Sequence, residues 1–426
     1  MTEPDTHRAI DAVWRIESPR LIAGLARMVR DVGLAQDFAQ DALVAALEQW
    51  PAEGVPRNPG AWLMAAGKRR AIDHFRRSKL LERKHAELGY ELDARQEAGA
   101  PDLDAALDDD VGDDLLSLVF TACHPVLSTD ARVALTLRLL GGLTTEEIAR
   151  AFLIPEPTVA QRIVRAKKTL ARERVPFEVP REDERAERLE SVLEVVYLIF
   201  NEGYTATAGG DWMRPALCED ALRLGRILAG LTPLEPEVHG LVALMEIQAS
   251  RARSRIGPSG QPILLLDQNR ALWDPLLIRR GLAALERAAQ LGGARGPYAR
   301  PAAIAACHAR ARTPEGTDWA RIAALYELLA ALSPSPVVEL NRAVAVAMAF
   351  GPQAGLDLVE ALNAEPSLKA YHLLPSVRGD LLARVGRFEE AAAEFERAAS
   401  LTRNAREREL LLDRAAACAR GPAALK

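Results

Sequence analysis

The sequence predicts an all-α protein: two small helical domains followed by a larger C-terminal array of helices. Three observations carry this reading. Ala, Leu and Arg recur throughout while aromatic residues make up only 5% of the chain, which is helix-forming stock rather than strand stock. Apolar residues repeat at three-and-four spacing, and no strand pattern of any length competes. Gly/Pro clusters cut the chain into segments of helical length. With 49% hydrophobic residues in 426, a sizeable core can be buried, and the length suggests about three domains. Cys123, Cys218, Cys307 and Cys418 lie far apart and form no CxxC, so neither a disulfide scaffold nor a zinc ribbon is indicated. No apolar run reaches the ~18 residues that would span a bilayer, and the stretch Met1 to Ile10 is polar. A cytoplasmic, reduced chain with no membrane partner is expected.

Taken in order, residues 18–50 read as two helices, with Leu21, Ile22, Leu25, Met28 and Val29 recurring at three-and-four spacing in the first and Phe38, Ala42, Leu43, Ala46 and Leu47 in the second. Pro51 to Pro59 breaks the pattern. A third helix is expected over 61–81, its apolar Trp62, Leu63, Ala66, Ile72 and Phe75 interleaved with basic residues. A second helical unit starts at Leu115. Its helix from Asp130 stops at Gly141-Gly142, Thr144 and Glu147 make a capping box, and Leu153 to Pro157 turns the chain into a longer basic helix running to Arg174. Short helix, tight turn and longer basic helix form the helix-turn-helix pattern. Beyond Pro176 and Pro180 the chain is helical to its end. Gly379, Leu382, Gly386, Phe388, Ala391, Phe395 and Ala398 show the small-and-large alternation of a tetratricopeptide-like hairpin, with a weaker echo from Trp319 to Val346.

Charge is segregated. From Glu87 to Asp114 there are eleven acids and one base, about −10, so the remainder of a chain of net charge −5 is near +5. Before this spacer lie Lys68, Arg69, Arg70, Arg76, Arg77, Lys79, Arg83 and Lys84, and after it Arg162, Arg165, Lys167, Lys168, Arg172 and Arg174. Two basic blocks of this size suit phosphate backbones, although a charge run is often only a solvated face.

The motifs now identify a resemblance. Leu34-Ala35-Gln36-Asp37-Phe38-Ala39-Gln40-Asp41-Ala42-Leu43 resembles the polymerase-binding helix (region 2.2) of extracytoplasmic-function sigma factors, with Asp37, Gln40 and Asp41 at the family spacing. Trp62-Leu63 and Ala71-Ile72-Asp73-His74-Phe75-Arg76-Arg77 resemble the helix that melts and reads the −10 promoter element. Residues 127–170 are similar to region 4, which grips the −35 element, through Arg138, Gly142-Leu143, Thr145-Glu146-Glu147-Ile148-Ala149, Thr158-Val159, Arg162 and Arg165-Ala166. Tyr197 to Tyr204 (Tyr-Leu-Ile-Phe-Asn-Glu-Gly-Tyr), followed by the repeat-like tail, resembles the subgroup with a C-terminal helical extension, often called ECF42. Leu153 stands where the family's turn carries glycine, and Ala160 and Gln161 stand where Lys and Ser are common.

The resemblance implies domains at 1–84 (region 2), 85–113 (acidic linker), 114–175 (region 4), 176–188 (linker) and 189–426 (helical regulatory extension). It implies core RNA polymerase (β′ clamp helices and β flap) and promoter DNA as partners, with the extension free to contact the sigma domains, polymerase or another protein. The −10 set is Trp62, Lys68, Arg69, Arg70, Asp73, His74, Arg76 and Arg77. The −35 set is Thr158, Gln161, Arg162, Arg165, Lys167 and Lys168. The polymerase dock is Asp37, Gln40 and Asp41. Melted bases stack on aromatic rings and are held by cations, but Ile72 and Phe75 also continue an apolar stripe, and Trp62 suits either core or base contact. The acidic spacer reads either as an RNA mimic or as a solvating tether. No nucleophile with a general base, Gly-rich phosphate loop or cofactor box is present, and the adjacent pairs Cys123-His124 and Cys307-His308 lack the spacing of a metal site. Asn201 to Tyr204 and Asp267 to Asp274 remain candidates for a ligand loop or for helix ends. A helix-turn-helix regulator with a repeat-type sensor accounts for 127–426 but not for Asp37, Gln40 and Asp41. An enzyme using acids such as Glu202 lacks a convergent constellation.

Overall fold

A computed structural model of the chain describes residues 3–88, 111–152, 154–207, 210–258, 260–293, 295–332 and 334–420. Among these residues there are eighteen α-helices and no strand, and Ile256 and Pro262 form an isolated bridge. The chain divides into two compact units, residues 1–196 and 197–426.

The first unit is built on α1 (Glu3–Val29), whose Leu21, Ile22, Leu25 and Ala26 are almost wholly buried. Asp31 caps α2 (Val32–Glu53), its carboxylate accepting the Leu34 N–H at 2.9 Å. Ala35, Phe38, Ala39, Ala42, Ala46 and Trp50 face inward at helical spacing. The break expected at Pro51 comes a turn later. Pro51 lies inside the last turn of α2, behind the buried Trp50, and the chain turns away only at Gly54 (φ +86°), whose N–H donates to the Trp50 carbonyl at 2.8 Å. Helix α3 (Pro59–Leu88) outruns the expected 61–81 at both ends and inserts Leu63, Gly67 and Ala71 against its neighbours. A Cβ at Gly67 would come within 2.9 Å of Leu25 Cδ1, so glycine sets how closely α1 and α3 approach.

Helix α4 (Val111–Ala122) packs on α1, and α5 (Thr129–Leu139) follows with Val133, Ala134, Leu135 and Leu137 buried. The acidic linker expected at 85–113 is helical at its two described ends, in α3 and α4, and its middle, 89–110, lies outside the described residues. A short helix, α6 (Thr145–Phe152), and a longer one, α7 (Glu156–Arg172), complete the pattern. Helix α8 (Glu182–Tyr204) begins inside the segment 176–188 read as a linker, and the boundary between the units falls within it. Its Leu189, Val192, Leu193 and Val196 are buried, the Ser191 hydroxyl donates to the Cys123 carbonyl at 2.6 Å, and Arg188 donates to the Phe120 carbonyl at 3.1 Å. Those contacts place 189–196 with the first unit rather than with the extension.

In the second unit α9 (Pro215–Leu231), α10 (Pro236–Ala249), α11 (Pro275–Gln290) and α12 (Ala299–Arg310) cluster around α10, which is apolar on nearly every side. From there α13 (Trp319–Leu332), α14 (Pro336–Phe350), α15 (Pro352–Leu362), α16 (Leu373–Arg384), α17 (Phe388–Leu401) and α18 (Ala405–Ala419) each pack chiefly on the next in sequence. Small residues opposite large ones allow this: a Cβ at Gly379 would sit 3.1 Å from the buried Phe395 ring. Asn404 closes the unit. Its Oδ1 caps α18 by accepting from the Arg406 and Glu407 N–H groups at 3.0 and 3.2 Å, while its Nδ2 donates to the carbonyls of Ala206 and Asp211 at 3.0 and 2.8 Å.

His308, at the end of α12, meets the Trp319 ring edge-on at 5.1 Å. Burial first, then Arg251 and Arg270, push its pKa down to about 4. The folded imidazole thus refuses a proton that the unfolded chain accepts below about 6.5. Its contribution to stability is complete above that value and declines as pH falls toward about 4. Thermal unfolding of wild type against His308→Phe, which keeps the ring contact, should show a smaller acid-induced loss of Tm in the variant over this window.

Candidate nucleic-acid interface

The helix-turn-helix orients α7 through its apolar side. Val159, Ile163, Ala166 and Leu170 are buried at intervals of four, three and four, which turns Ala160, Gln161, Val164, Arg165 and Lys168 outward together. Upstream, the capping box forms: the Thr144 N–H donates to Glu147 Oε2 at 2.8 Å and the Glu147 N–H to Thr144 Oγ1 at 3.1 Å. Arg138 donates to the Leu143 carbonyl at 2.8 Å and fixes the bend after α5. Leu153, in the turn, lies outside the described residues.

The predicted −35 set does not act as one face. Gln161, Arg165 and Lys168 are exposed, and Thr158 is half-buried near the start of the helix. Arg162 and Arg165, three apart, are divided, because Arg162 turns to Asp130 of α5 at 2.9 Å. Lys167 points the other way, to Asp37 at the start of α2, at 3.6 Å. Its ammonium pKa is lowered, chiefly by burial, with Asp37 partly restoring it. The sequence reading passed over Val164, which is 49% exposed at the centre of the basic face. It stands outside the buried period of α7, and that was the signal available in the sequence. An apolar side chain there suits contact with a thymine methyl group in a major groove, beside polar groups of the kind that can read base edges and phosphates.

On α3, Arg69, Arg70, Asp73, His74, Arg76 and Arg77 are exposed, and Lys68 is half-buried. Among the described residues none of the five cations has a carboxylate within ion-pair distance, so their charge is available to an anion. Trp62 serves both readings: it is half-buried, its ring edge-to-face with the buried Trp50 at 5.3 Å. His74 stands between Phe38 and Phe75, at 5.5 and 5.8 Å, with Phe75 and Ile72 half-buried beneath the basic surface. Exposed cations beside half-exposed rings suit unstacked bases, each worth about 1–3 kcal/mol when stacked. Asp37 and Asp41 are exposed on α2, with Gln40 half-buried beside them, one helical face able to meet a basic partner. Val44 and Leu47, exposed further along the same helix, add an apolar margin.

The other marked residues are consumed internally. Among the described residues no group of three His, Cys, Asp or Glu side chains converges as a metal site. Burial raises the Cys123 thiol to about 11 and lowers His124 to about 4. Asn201 to Tyr204 ends α8: Glu202 pairs with Arg214 and accepts the Thr207 hydroxyl at 2.9 Å, and Arg255 stacks 3.5 Å from the centre of the Tyr204 ring. Asn269 and Asp274 cap the helices that follow them, while Arg270 donates to the carbonyls of His308 and Ala311 at 2.6 and 2.7 Å.

Comparison with known proteins agrees with this geometry. Residues 14–80 match the family described as Sigma-70 region 2, and residues 117–170 match Sigma-70, region 4. Residues 188–289 match a family of unknown function, DUF6596. An uncharacterized protein, R00370, of Rhizobium meliloti (strain 1021) is 44% identical over 399 residues, covering 93% of each chain. No solved structure matches.

If the outward face of α7 contacts phosphates, Arg165→Ala and Lys168→Ala should each reduce the slope of log affinity against log salt by about 0.9 on duplex DNA. Arg162→Ala should reduce it less, since Asp130 already holds that guanidinium.

Proposed function

Since the chain belongs to the sigma-70 family, in which proteins act as RNA polymerase sigma factors, we propose that it is an alternative sigma factor of the extracytoplasmic-function type. It recruits core RNA polymerase through Asp37, Gln40 and Asp41, anchors the upstream promoter element on α7 and traps the melted −10 strand on α3. The observation that carries this reading is the coexistence in one chain of an exposed acidic face on α2 and two separate cationic helices, each facing solvent with the residues its role requires. A helix-turn-helix regulator that never meets polymerase has no use for the α2 face or for the match over 14–80. Members of this family initiate transcription and are not enzymes, and our reading assigns the chain no catalytic step.

The contacts of the dock with the β′ clamp helices, and of region 4 with the β flap, are part of the proposal, as is a cytoplasmic site of action. So is the role of the second unit as a regulatory extension of the ECF42 type. Among the described residues no helix is long and apolar enough to cross a membrane. The extension's influence is best read with α8 kept whole, because residues 189–196 pack in the first unit.

Run-off transcription with core polymerase, on the promoter region upstream of the chain's own gene, tests the reading. Asp37→Ala with Asp41→Ala should lower core binding by at least ten-fold and abolish specific run-off. Arg165→Ala should weaken promoter binding while leaving polymerase capture intact. A wild-type chain that neither joins core polymerase nor changes its start site would refute the assignment.

A further inference from the structure

Two residues assigned to different partners touch each other in the first unit. Lys167 belongs to the DNA-contacting helix and Asp37 to the polymerase dock, yet their charged groups lie 3.6 Å apart. Lys167 is the more withdrawn, with its side chain 19% exposed against 66% for Asp37. Its aliphatic stem lies over Gly33, where an added Cβ would stand 3.6 Å from Lys167 Cδ and 4.0 Å from Lys167 Cβ. The corner between α1 and α2 faces Thr121, Leu170 and Val175 across a cavity of only about 30 Å³.

Further contacts close the same seam. Arg15 pairs with Glu147 at 2.7 Å and Arg27 with Asp114 at 3.4 Å. Gly142 (φ +71°) brings the bend before α6 so near α1 that a Cβ there would lie 3.2 Å from Ser18 Oγ. The two sigma modules thus rest on one another along α1 and the start of α2.

Resting on the functional reading above, we propose that the Asp37–Lys167 contact is a latch. In the free chain it spends a phosphate-binding lysine of α7 on a carboxylate of the polymerase dock, so that engagement of polymerase and release of α7 are coupled. A basic group of polymerase arriving at Asp37 competes with Lys167 and repels it. By linkage the same factor applies in reverse: DNA that takes Lys167 leaves Asp37 freer for polymerase.

Two measurements on the full-length chain test the latch. The first is affinity for a labelled duplex of about 30 base pairs at low salt, without polymerase, where binding is set by phosphate contacts. Asp37→Asn should tighten it several-fold by freeing Lys167. Glu48→Gln removes the same charge from the same helix at an exposed position away from Lys167, and should stay near wild type. Equal gains in both variants would reduce the effect to overall charge and overturn the latch.

The second is core-polymerase affinity in the absence of DNA. Lys167→Met keeps an apolar stem over Gly33 and removes the cation that holds Asp37, so it should tighten core binding several-fold. Arg150→Met removes an exposed cation of the same module far from Asp37 in sequence and should stay near wild type. Unchanged core affinity in Lys167→Met, or equal gains in both variants, would overturn the latch. A wild-type chain that does not bind core at all would instead remove the sigma-factor reading and the latch with it.

Discussion

The first unit depends on α1 being a wall with two sides. Its Leu21, Ile22, Leu25 and Ala26 are buried to within 2% of their surface, and α1 packs on α2 and α3 as well as on α4. Fully burying one such leucine is worth about 1.5–3 kcal/mol. An exposed ion pair contributes about 0–1 kcal/mol. The apolar faces of α1 therefore set the arrangement, and the ion pairs at its rim, Arg15–Glu147 and Arg27–Asp114, adjust it. This ordering also explains how the seam can be tight without being permanent: its polar contacts are partly solvated and open to exchange for a partner's charges.

The same logic governs the basic helices. On α7 the burial of Val159, Ile163, Ala166 and Leu170 decides the direction of every remaining side chain, so cations only three or five positions apart acquire different work. Arg165 and Lys168 are left to solvent, Arg162 braces α5, and Lys167 reaches α2. On α3 the buried Leu63, Gly67 and Ala71 leave an outer surface on which the arginines remain without carboxylate partners among the described residues. Identical residue types are thus left to solvent or act as struts according to what lies opposite them.

The second unit solves a different problem. Its chain is rich in arginine, and each buried guanidinium must be satisfied. Arg255 does so on the Tyr204 carbonyl, ring and the Thr205 hydroxyl, and Arg270 places its two terminal nitrogens on the end of α12 and on Thr317. Several of these groups fall in the 188–289 segment shared with the family of unknown function. They hold irregular connections between helices, which accounts for distinctive sequence where regular helix alone would need only an apolar stripe. Arg378, between Glu360 at 2.8 Å and Glu394 at 2.7 Å, performs the same service among α15, α16 and α17.

The sequence by itself determined the helical class and the order of the two sigma modules, and it supplied the residues from which the proposed site is drawn. Each of these is written in local patterns: three-and-four periodicity, the Thr144–Glu147 box and the spacing of Asp37, Gln40 and Asp41. A helix obeys short-range rules, so such patterns survive translation into structure. Tertiary structure decided what local pattern cannot carry. Pro51 stayed helical because Trp50 was already held in the core. The first half of α8 joined the first unit because Leu189, Val192, Leu193 and Val196 are buried there and Arg188 and Ser191 donate to the carbonyls of Phe120 and Cys123, some seventy positions earlier in the chain. The partition of Arg162, Arg165 and Lys167 was equally hidden, for it depends on Asp130 and Asp37, whose positions are fixed only when α5 and α2 pack beside α7. A cation's function is set by the charge across from it, and that neighbour is chosen by the fold.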